Sequence, residues 1–344
     1  MKGKKVTIQE IADLVGVSKF AVSRALSSKP GVSAQTRELI LKAAGQLGYF
    51  KNNESRRVAD DPPPAPKDSK LAGTIVVLFP NIRYQNKDSV YWGPVFEGIT
   101  SRLNQEGMDI LTLTEPSGDP MFSVLNPEAI RGIITIGTIS TQILLDIGRL
   151  NIPVVMVDHV DPAFRCDTVF ADNFNGMREM MLKLVSKGYR KYQFVGNIRY
   201  AQSFYERWLA FKTVLEEYGI ALNQDPRLNG PDADDIYKLF QKETFDELPE
   251  VFVCANDSNA AFLIDELRKR GLDVPQNCIV TGFDNTNETH PIFATVNVKK
   301  EWLGMRAVDQ LLWRIMNRDY AFERKLIHVD IVVRSEYARL PLTE

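Results

Sequence analysis

An α/β protein with an N-terminal three-helix helix-turn-helix head and a two-lobed body of parallel sheets is the fold class this sequence predicts. Three observations carry that expectation. Residues 6–50 hold three short helical patterns, each preceded by a polar capping residue. From Leu71 onward, short apolar runs alternate with amphipathic stretches, the order that builds parallel sheets covered on both faces. Finally, the net charge of −2 conceals an asymmetry: residues 1–58 carry eleven Lys/Arg against four Asp/Glu, a net of +7, which leaves −9 for the rest. A basic module on an acidic body points to a polyanionic partner for the head alone. A solvated basic face is the plain alternative.

Composition bounds the remaining classes. A chain of 344 residues suits two or three units rather than one small domain. Hydrophobic residues at 44% and charged residues at 25% fit a globular chain and argue against disorder. No apolar run approaches a membrane span, and Gln9, Glu10 and Asp13 interrupt any apolar signal core near the N-terminus. The expected location is therefore cytoplasmic. Cys166, Cys254 and Cys278 are odd in number and scattered, as are His159, His290 and His328. Neither a disulfide framework nor a metal site is expected, and no cofactor is implied.

The head can be justified helix by helix. Thr7 with Glu10 three positions on forms a capping box. Ile8, Ile11, Ala12 and Val15 then make one apolar stripe, ended by Gly16. Val17 fills the corner, and Ser18 caps a second helix whose inner face is Ala21, Val22, Ala25 and Leu26. "SSKPG" breaks the chain again. Ser33 caps a third helix with an inner stripe of Leu39, Ile40, Ala43 and Leu47, stopped at Gly48. Two helices joined by a tight Gly-containing turn constitute a helix-turn-helix. In that motif the second helix enters the major groove, and its outward positions here are Lys19, Phe20, Ser23 and Arg24. Arg24 suits bidentate pairing with guanine and Phe20 suits a thymine methyl. Ser18, Ser33 and Thr36 stand at helix starts, where hydroxyls and backbone N–H groups meet phosphates.

The run "TIQEIADLVGVSKFAVSRALS", followed by "VS", "TR" and "LGY", resembles the lactose/galactose repressor (LacI/GalR) family of bacterial transcriptional regulators. The resemblance extends through the body. It implies that Lys19, Phe20 and Arg24 occupy the variable specificity positions, and it completes the candidate DNA-binding set with Thr7, Tyr49, Asn52, Ser55 and Val58. Family members continue into a hinge helix that wedges leucines into the minor groove. In "FKNNESRRVADDPPPAPKDSK", Val58 takes the leucine position, Ser55 the small one before it, and Lys51 stands for the usual proline. Valine makes a shallower wedge, Glu54, Asp60 and Asp61 repel phosphates, and three prolines after Asp61 forbid further helix. Residues 52–59 are either helical when two copies meet on DNA or a plain linker.

The expected domains are a head at 1–50, a hinge and Pro-rich linker at 51–70, and an effector-binding and dimerisation body at 71–344. Strand candidates in the body are 74–79, 109–113, 132–136, 153–157, 168–172, 193–196, 251–255, 279–283 and 327–333, with helices at 94–107, 174–187, 203–218, 257–271 and 300–317. So many strands exceed one sheet and divide near Asp172. The resemblance implies a periplasmic-binding-protein-like body with lobe 1 at about 71–171 and 291–325, and lobe 2 at about 172–290 and 326–340.

Ligands in such sheets sit at the carboxyl ends of strands. The polar residues there are Asn81, Asp158, Asn256 and Asp284, with Arg207 at the start of the helix after "QFVG". Tyr91 and Trp92 are placed to stack on a sugar face. Carboxylates, amides and one arginine suit a polyhydroxylated ligand, because each buried hydroxyl needs a partner. The resemblance supports Asp158, Ser203, Arg207, Asn256 and Asp284 as effector contacts. It also shows a departure: "ATVNVKKEWLG" puts Val298 and Lys299 where relatives carry a Gln or Asp. Lys299 or Lys300 near the mouth suits an anionic ligand such as a sugar phosphate or sugar acid, with plainly solvated lysines as the alternative. Helix capping is the alternative role for Asp257 and Asn175, and ordering of the crossover is the alternative for Asp172 and Asn173.

Catalysis is not expected. The chain contains no GxGxxG after its first strand, no GxxxxGK[ST] and no G-x-S-x-G. The predicted function is a DNA-binding regulator, expected to repress carbohydrate-uptake or catabolic genes. A homodimer reads an inverted repeat, and a sugar or related metabolite in the interlobe cleft changes its affinity for DNA. A body controlled by a protein partner is the alternative. Val95, Phe96 and Ile99 on the body's first helix are the expected dimer surface.

Overall fold

The computed structural model describes residues 6–50, 73–82, 85–114, 127–242 and 248–337. The head consists of α1 (Ile8–Val15), α2 (Lys19–Leu26) and α3 (Ala34–Leu47). The capping box forms as expected: the Thr7 hydroxyl accepts from the Glu10 N–H at 3.2 Å, and the Glu10 carboxylate accepts from the Thr7 N–H at 2.8 Å. Gly16 and Gly48 end α1 and α3 at φ +74° and +83°, a left-handed backbone that glycine adopts without a Cβ penalty. Ile11, Ala12, Val22, Ala25, Ile40, Ala43 and Ala44 form the head's core.

Two features of the head depart from the expected pattern. Leu39, assigned to the inner stripe of α3, is 54% exposed, and Leu47 is also turned outward. In addition, Arg37 closes the carboxyl end of α2, donating to the carbonyls of Ala25 at 2.9 Å and Lys29 at 2.5 Å. The orphan carbonyls of a helix end need such donors, and a cationic side chain also suits the helix dipole there.

The body continues with β1 (Thr74–Phe79), α4 (Trp92–Gln105), β2 (Asp109–Thr114), β3 (Ile130–Ile136), α5 (Thr141–Arg149), β4 (Val154–Val157), β5 (Asp167–Ala171), α6 (Asn173–Ser186) and β6 (Tyr192–Val195). Then come α7 (Gln202–Glu217), α8 (Pro226–Asn229), α9 (Ile236–Lys242), β7 (Val251–Cys254), α10 (Asp257–Lys269), β8 (Ile279–Thr281), β9 (Ile292–Asn297), α11 (Lys300–Met316), β10 (Arg324–Ile327) and β11 (Asp330–Val333).

The molecule divides into a first unit, Met1–Val169 with Glu301–Lys325, and a second, Phe170–Lys300 with Leu326–Glu344. The first holds a six-stranded sheet in the order β10-β5-β4-β3-β1-β2, and the second a five-stranded sheet in the order β11-β9-β8-β7-β6. Ladders among β1–β5 are parallel, as are those joining β6, β7, β8 and β9. The inner strands read as unbroken apolar runs because both faces are covered.

Three body expectations need correction. The second change of unit falls at Lys300 rather than near 290, since β9 pairs with β8 inside the second sheet. The run 327–333 is two strands: β10 borders the first sheet, while β11 lies antiparallel to β9 in the second. An apolar alternation simply continues across the break at His328–Val329. Third, Val95 and Ile99 are fully buried in the first unit, and Phe96 packs edge-on to Phe79. Val95 and Ile99 therefore belong to the first unit's own core and not to a dimer surface, while Phe96 is half-buried. The reason is a glycine contact: a Cβ on Gly98 would lie 1.9 Å from the Glu301 carbonyl, and one on Gly304 would lie 2.0 Å from that of Val95. Only two glycines let α4 and α11 approach so closely.

Candidate DNA-binding head and effector residues

On α2, Lys19, Phe20 and Ser23 are exposed, and Phe20 presents 67% of its surface. An exposed aromatic on a basic module is unusual for a residue that only packs. Arg24 behaves differently. Its Nε donates to the Pro30 carbonyl at 2.5 Å, and its guanidinium lies 5.1 Å from the centre of the Phe20 ring. The chain thus holds Arg24 Nε against the loop after α2. Ser18 and Ser33 cap their helices, accepting from Ala21 N–H at 3.2 Å and Thr36 N–H at 3.1 Å. The Thr36 hydroxyl pairs with that of Ser33, and the Thr7 hydroxyl is engaged in the capping box. Tyr49 is half-buried against the head core and edge-on to Phe50. Asn52, Ser55 and Val58 lie outside the described residues.

In the second unit the candidate effector residues gather around Arg207, which is 2% exposed. Its Nε donates to Asn173 Oδ1 at 2.9 Å, one terminal nitrogen to the Ala255 carbonyl at 2.7 Å, and the other to Asp284 Oδ1 at 3.0 Å. The guanidinium stacks on the Phe283 ring at 3.6 Å. Ser203, one turn earlier on α7, is likewise buried. Burial pushes the Asp284 carboxyl up, opposed by the positive charges of Arg207 and Lys300. The Lys300 ammonium donates to the carbonyls of Asp284 at 2.7 Å and Val298 at 3.3 Å, while Lys299 pairs with Asp330 at 2.9 Å. Asn256 caps α10, its Oδ1 accepting from Asn259 N–H at 2.9 Å.

The first-unit candidates are also brought together, apart from one. Tyr91 and Trp92 meet edge to face with ring centres 4.7 Å apart. A Cβ on Gly137, at the carboxyl end of β3, would lie 3.3 Å from the Trp92 ring, and the Gly137 N–H donates to Val157 just before Asp158. Asn81, by contrast, is exposed. Asp158, Asp284 and Asn285 have φ of +54°, +90° and +48°. Each such backbone costs about 1–3 kcal/mol and persists only where its surroundings hold it, typically at ligand sites.

Sequence reasoning missed Asn173 and Phe283 as partners of Arg207, and Gln85, whose Oε1 accepts from the Thr138 N–H at 3.1 Å. The one signal for Asn173 was its place directly after a strand end. Asp257 proved more than a cap. Fully buried, it accepts from the Thr295 hydroxyl at 2.7 Å and the Thr286 N–H at 2.8 Å, ordering the loop that carries Asp284.

Residues 7–52 match the family of bacterial regulatory proteins, lacI family, and residues 182–335 match a periplasmic binding protein-like domain. The chain thus joins a LacI-family regulatory head to a periplasmic-binding-protein-like body. Its curated relatives include the HTH-type transcriptional repressor PurR of Haemophilus influenzae (strain PittEE), 25% identical over 325 residues that span 91% of this chain and 92% of that protein. Among solved structures, the transcriptional regulator CelR–cellobiose complex superposes with a TM-score of 0.66 at 19% identity, covering 96% of this chain and 99% of that one. A lac repressor dimer bound to operator and the anti-inducer ONPF superposes at 0.59 and 21% identity, covering 96% and 98%. With its LacI-family head, the chain is a DNA-binding transcriptional regulator. Among its described residues no helix is long and apolar enough to cross a membrane.

The two units of this regulator hold titratable groups shifted in opposite directions. Burial, aided by the positive charge of Lys42, pulls His159 down to about 4. Burial lifts Asp257 to about 6 against the hydrogen bond from Thr295. For His159 the folded value lies below the ordinary 6.5, so its stabilising contribution is whole above that pH and is lost as pH falls toward 4. For Asp257 the folded value lies above the ordinary 3.8, so its contribution is whole at low pH and is lost as pH rises through about 6. Acidification from about pH 7 to about 4.5 is therefore expected to weaken the first unit and strengthen the second through these groups. Amide exchange resolved by unit checks this, with His159→Gln and Asp257→Asn each flattening the response of its own unit.

Proposed function

We propose that this regulator is a repressor whose two copies read an inverted repeat, and that a polyhydroxylated effector, a sugar or sugar derivative, changes its affinity for that repeat. The observation that supports this best is the buried cluster of Arg207, Asn173, Asp284 and Phe283 at strand ends, in a chain that also exposes Lys19, Phe20 and Ser23 on its second helix. The cluster gathers an arginine, a carboxylate and an amide, the groups that suit hydroxyls needing partners once buried. Ser203 and Asn256 are the candidate contacts beside Arg207 in the second unit, and Asp158, Tyr91 and Trp92 are the candidates within the first. The match of the CelR–cellobiose complex supports a sugar as the effector class. A dimer follows the arrangement of the lac repressor with its operator, because one head gains only a few phosphate and base contacts and two joined heads gain effective concentration. Such a protein works where the chromosome is, in the cytoplasm.

Selection of bound duplexes from random-sequence DNA, followed by titration of the recovered duplex against a sugar library, tests both halves. A recovered inverted repeat whose binding shifts with one sugar supports the reading. Absence of any enriched duplex removes the DNA half, and absence of heat or shift with every sugar removes the effector half. Phe20→Ala is expected to weaken the selected duplex by about 1–2 kcal/mol, the scale of one base-edge contact. Its thermal melting should match wild type, because the side chain is mostly exposed.

A further inference from the structure

The third helix of the head has two faces. One supplies Ile40, Ala43 and Ala44 to the head's own core. The other presents Glu38, Leu41, Lys42 and Gly45, which recur at helical spacing. Leu41 is only 2% exposed although it lies outside the head's core cluster. Both Glu38 carboxylate oxygens accept the Thr141 N–H, at 3.1 and 3.0 Å, and Glu38 also lies 2.8 Å from the Thr141 hydroxyl. Thr141 opens α5, and the residue before it, Ser140, makes no side-chain cap bond. The head therefore supplies the acceptor that the helix start needs, in a place where the helix dipole also favours a carboxylate.

Gly45 makes the second contact. A Cβ there would lie 2.3 Å from the Ala163 nitrogen and 2.4 Å from the Pro162 carbonyl carbon, both in the loop between β4 and β5. That loop is itself braced: Asp161 accepts from the Ala163 N–H at 2.8 Å and from the buried Thr141 hydroxyl at 2.6 Å. Glycine within a helix is otherwise unfavourable relative to alanine, and here the close approach of a second backbone accounts for it. The recognition surface is left open, since Lys19, Phe20 and Ser23 all stay exposed while α3 is seated.

We propose that lobe 1 carries a receptor for its own head, built from the start of α5 and the 159–164 loop, and that the seated head is the state that binds DNA. Seating fixes the direction of the recognition helix, so less orientational freedom is lost when duplex binds. This half of the proposal rests on the reading of the chain as an operator-binding regulator. The seating itself does not.

The test uses the full-length chain with Gly45→Ala and Glu38→Ala. Alanine at 45 improves the helix that carries it and collides only with the loop, so Gly45→Ala separates unseating from unfolding. Hydrogen exchange at the Thr141 amide is expected to be at least ten-fold faster in both variants, while the amides of Ile11, Val22 and Ile40 in the head exchange as slowly as in wild type. Duplex selected by the wild-type protein should bind Gly45→Ala at least ten-fold more weakly. Unchanged Thr141 exchange in both variants overturns the seating. Faster Thr141 exchange with unchanged or tighter duplex binding overturns the claim that the seated head is the binding state. If no duplex is enriched by wild type, the exchange arm still decides the seating, and the failure belongs to the proposed function instead.

Discussion

Arg314→Ala is expected to lower the stability of the first unit by about 3–5 kcal/mol, the cost of leaving one member of a buried ion pair alone. Arg314 and Asp167 are both almost without exposure and are joined twice, at 2.6 and 2.8 Å. The same guanidinium donates to the carbonyls of Asn317, Tyr320 and Ala321 at 3.1, 2.7 and 2.8 Å, and Asp167 accepts the Glu323 N–H at 2.7 Å. One arginine thus secures the whole turn that leads from α11 to β10. Its loss strands a buried carboxylate and three carbonyls together, beyond what the pair alone would cost. Denaturant unfolding followed by exchange at β5 checks this. A loss below about 1 kcal/mol, the range of an exposed pair, would show that water reaches the site.

Arg207→Ala carries the second large effect, and it acts on two properties at once. Removing the guanidinium leaves Asp284, Asn173 and the Ala255 carbonyl without their donor, so the second unit is expected to lose about 3–5 kcal/mol as well. The response to effector should vanish. Arg207→Lys separates the two consequences. Lysine retains the charge opposite Asp284 but not the planar fork or the stacking on Phe283. Most of the stability should therefore return while the effector response stays lost. Calorimetric unfolding alongside titration with the sugar that shifts wild-type DNA binding measures both. A Lys variant with a wild-type response would remove the fork from recognition.

Much of this was legible in the sequence for identifiable reasons. Capping boxes and glycine stops are local chemistry, and Thr7, Ser18, Ser33, Gly16 and Gly48 all perform as their residue types demand. Alternating strands and helices likewise declare parallel sheets. Periodicity failed wherever an apolar face had a second candidate partner. Leu39 and Leu41 lie two positions apart, and nothing in their residue type decides that Leu41 is the covered one. The same ambiguity misplaced Val95 and Ile99, whose apolar stripe reads identically whether it meets α11 or another protomer. The partners of Arg207 were hidden for a different reason: Asn173, Ala255 and Asp284 are separated from it by 34, 48 and 77 positions. Gly45 was a visible signal, since glycine inside a helical pattern asks what else comes close.

The scaffold role of Arg207 has a bearing on how such proteins diverge. An anchor that also holds its own scaffold together is a poor starting point for evolutionary change, because its first replacement forfeits stability before any new preference exists. On the proposed effector site, retargeting to another metabolite would be freest at neighbours such as Asn256 and Ser203, which can be exchanged while the anchor stays. A lineage built this way would change its diet by altering the rim of the cradle and inheriting the floor.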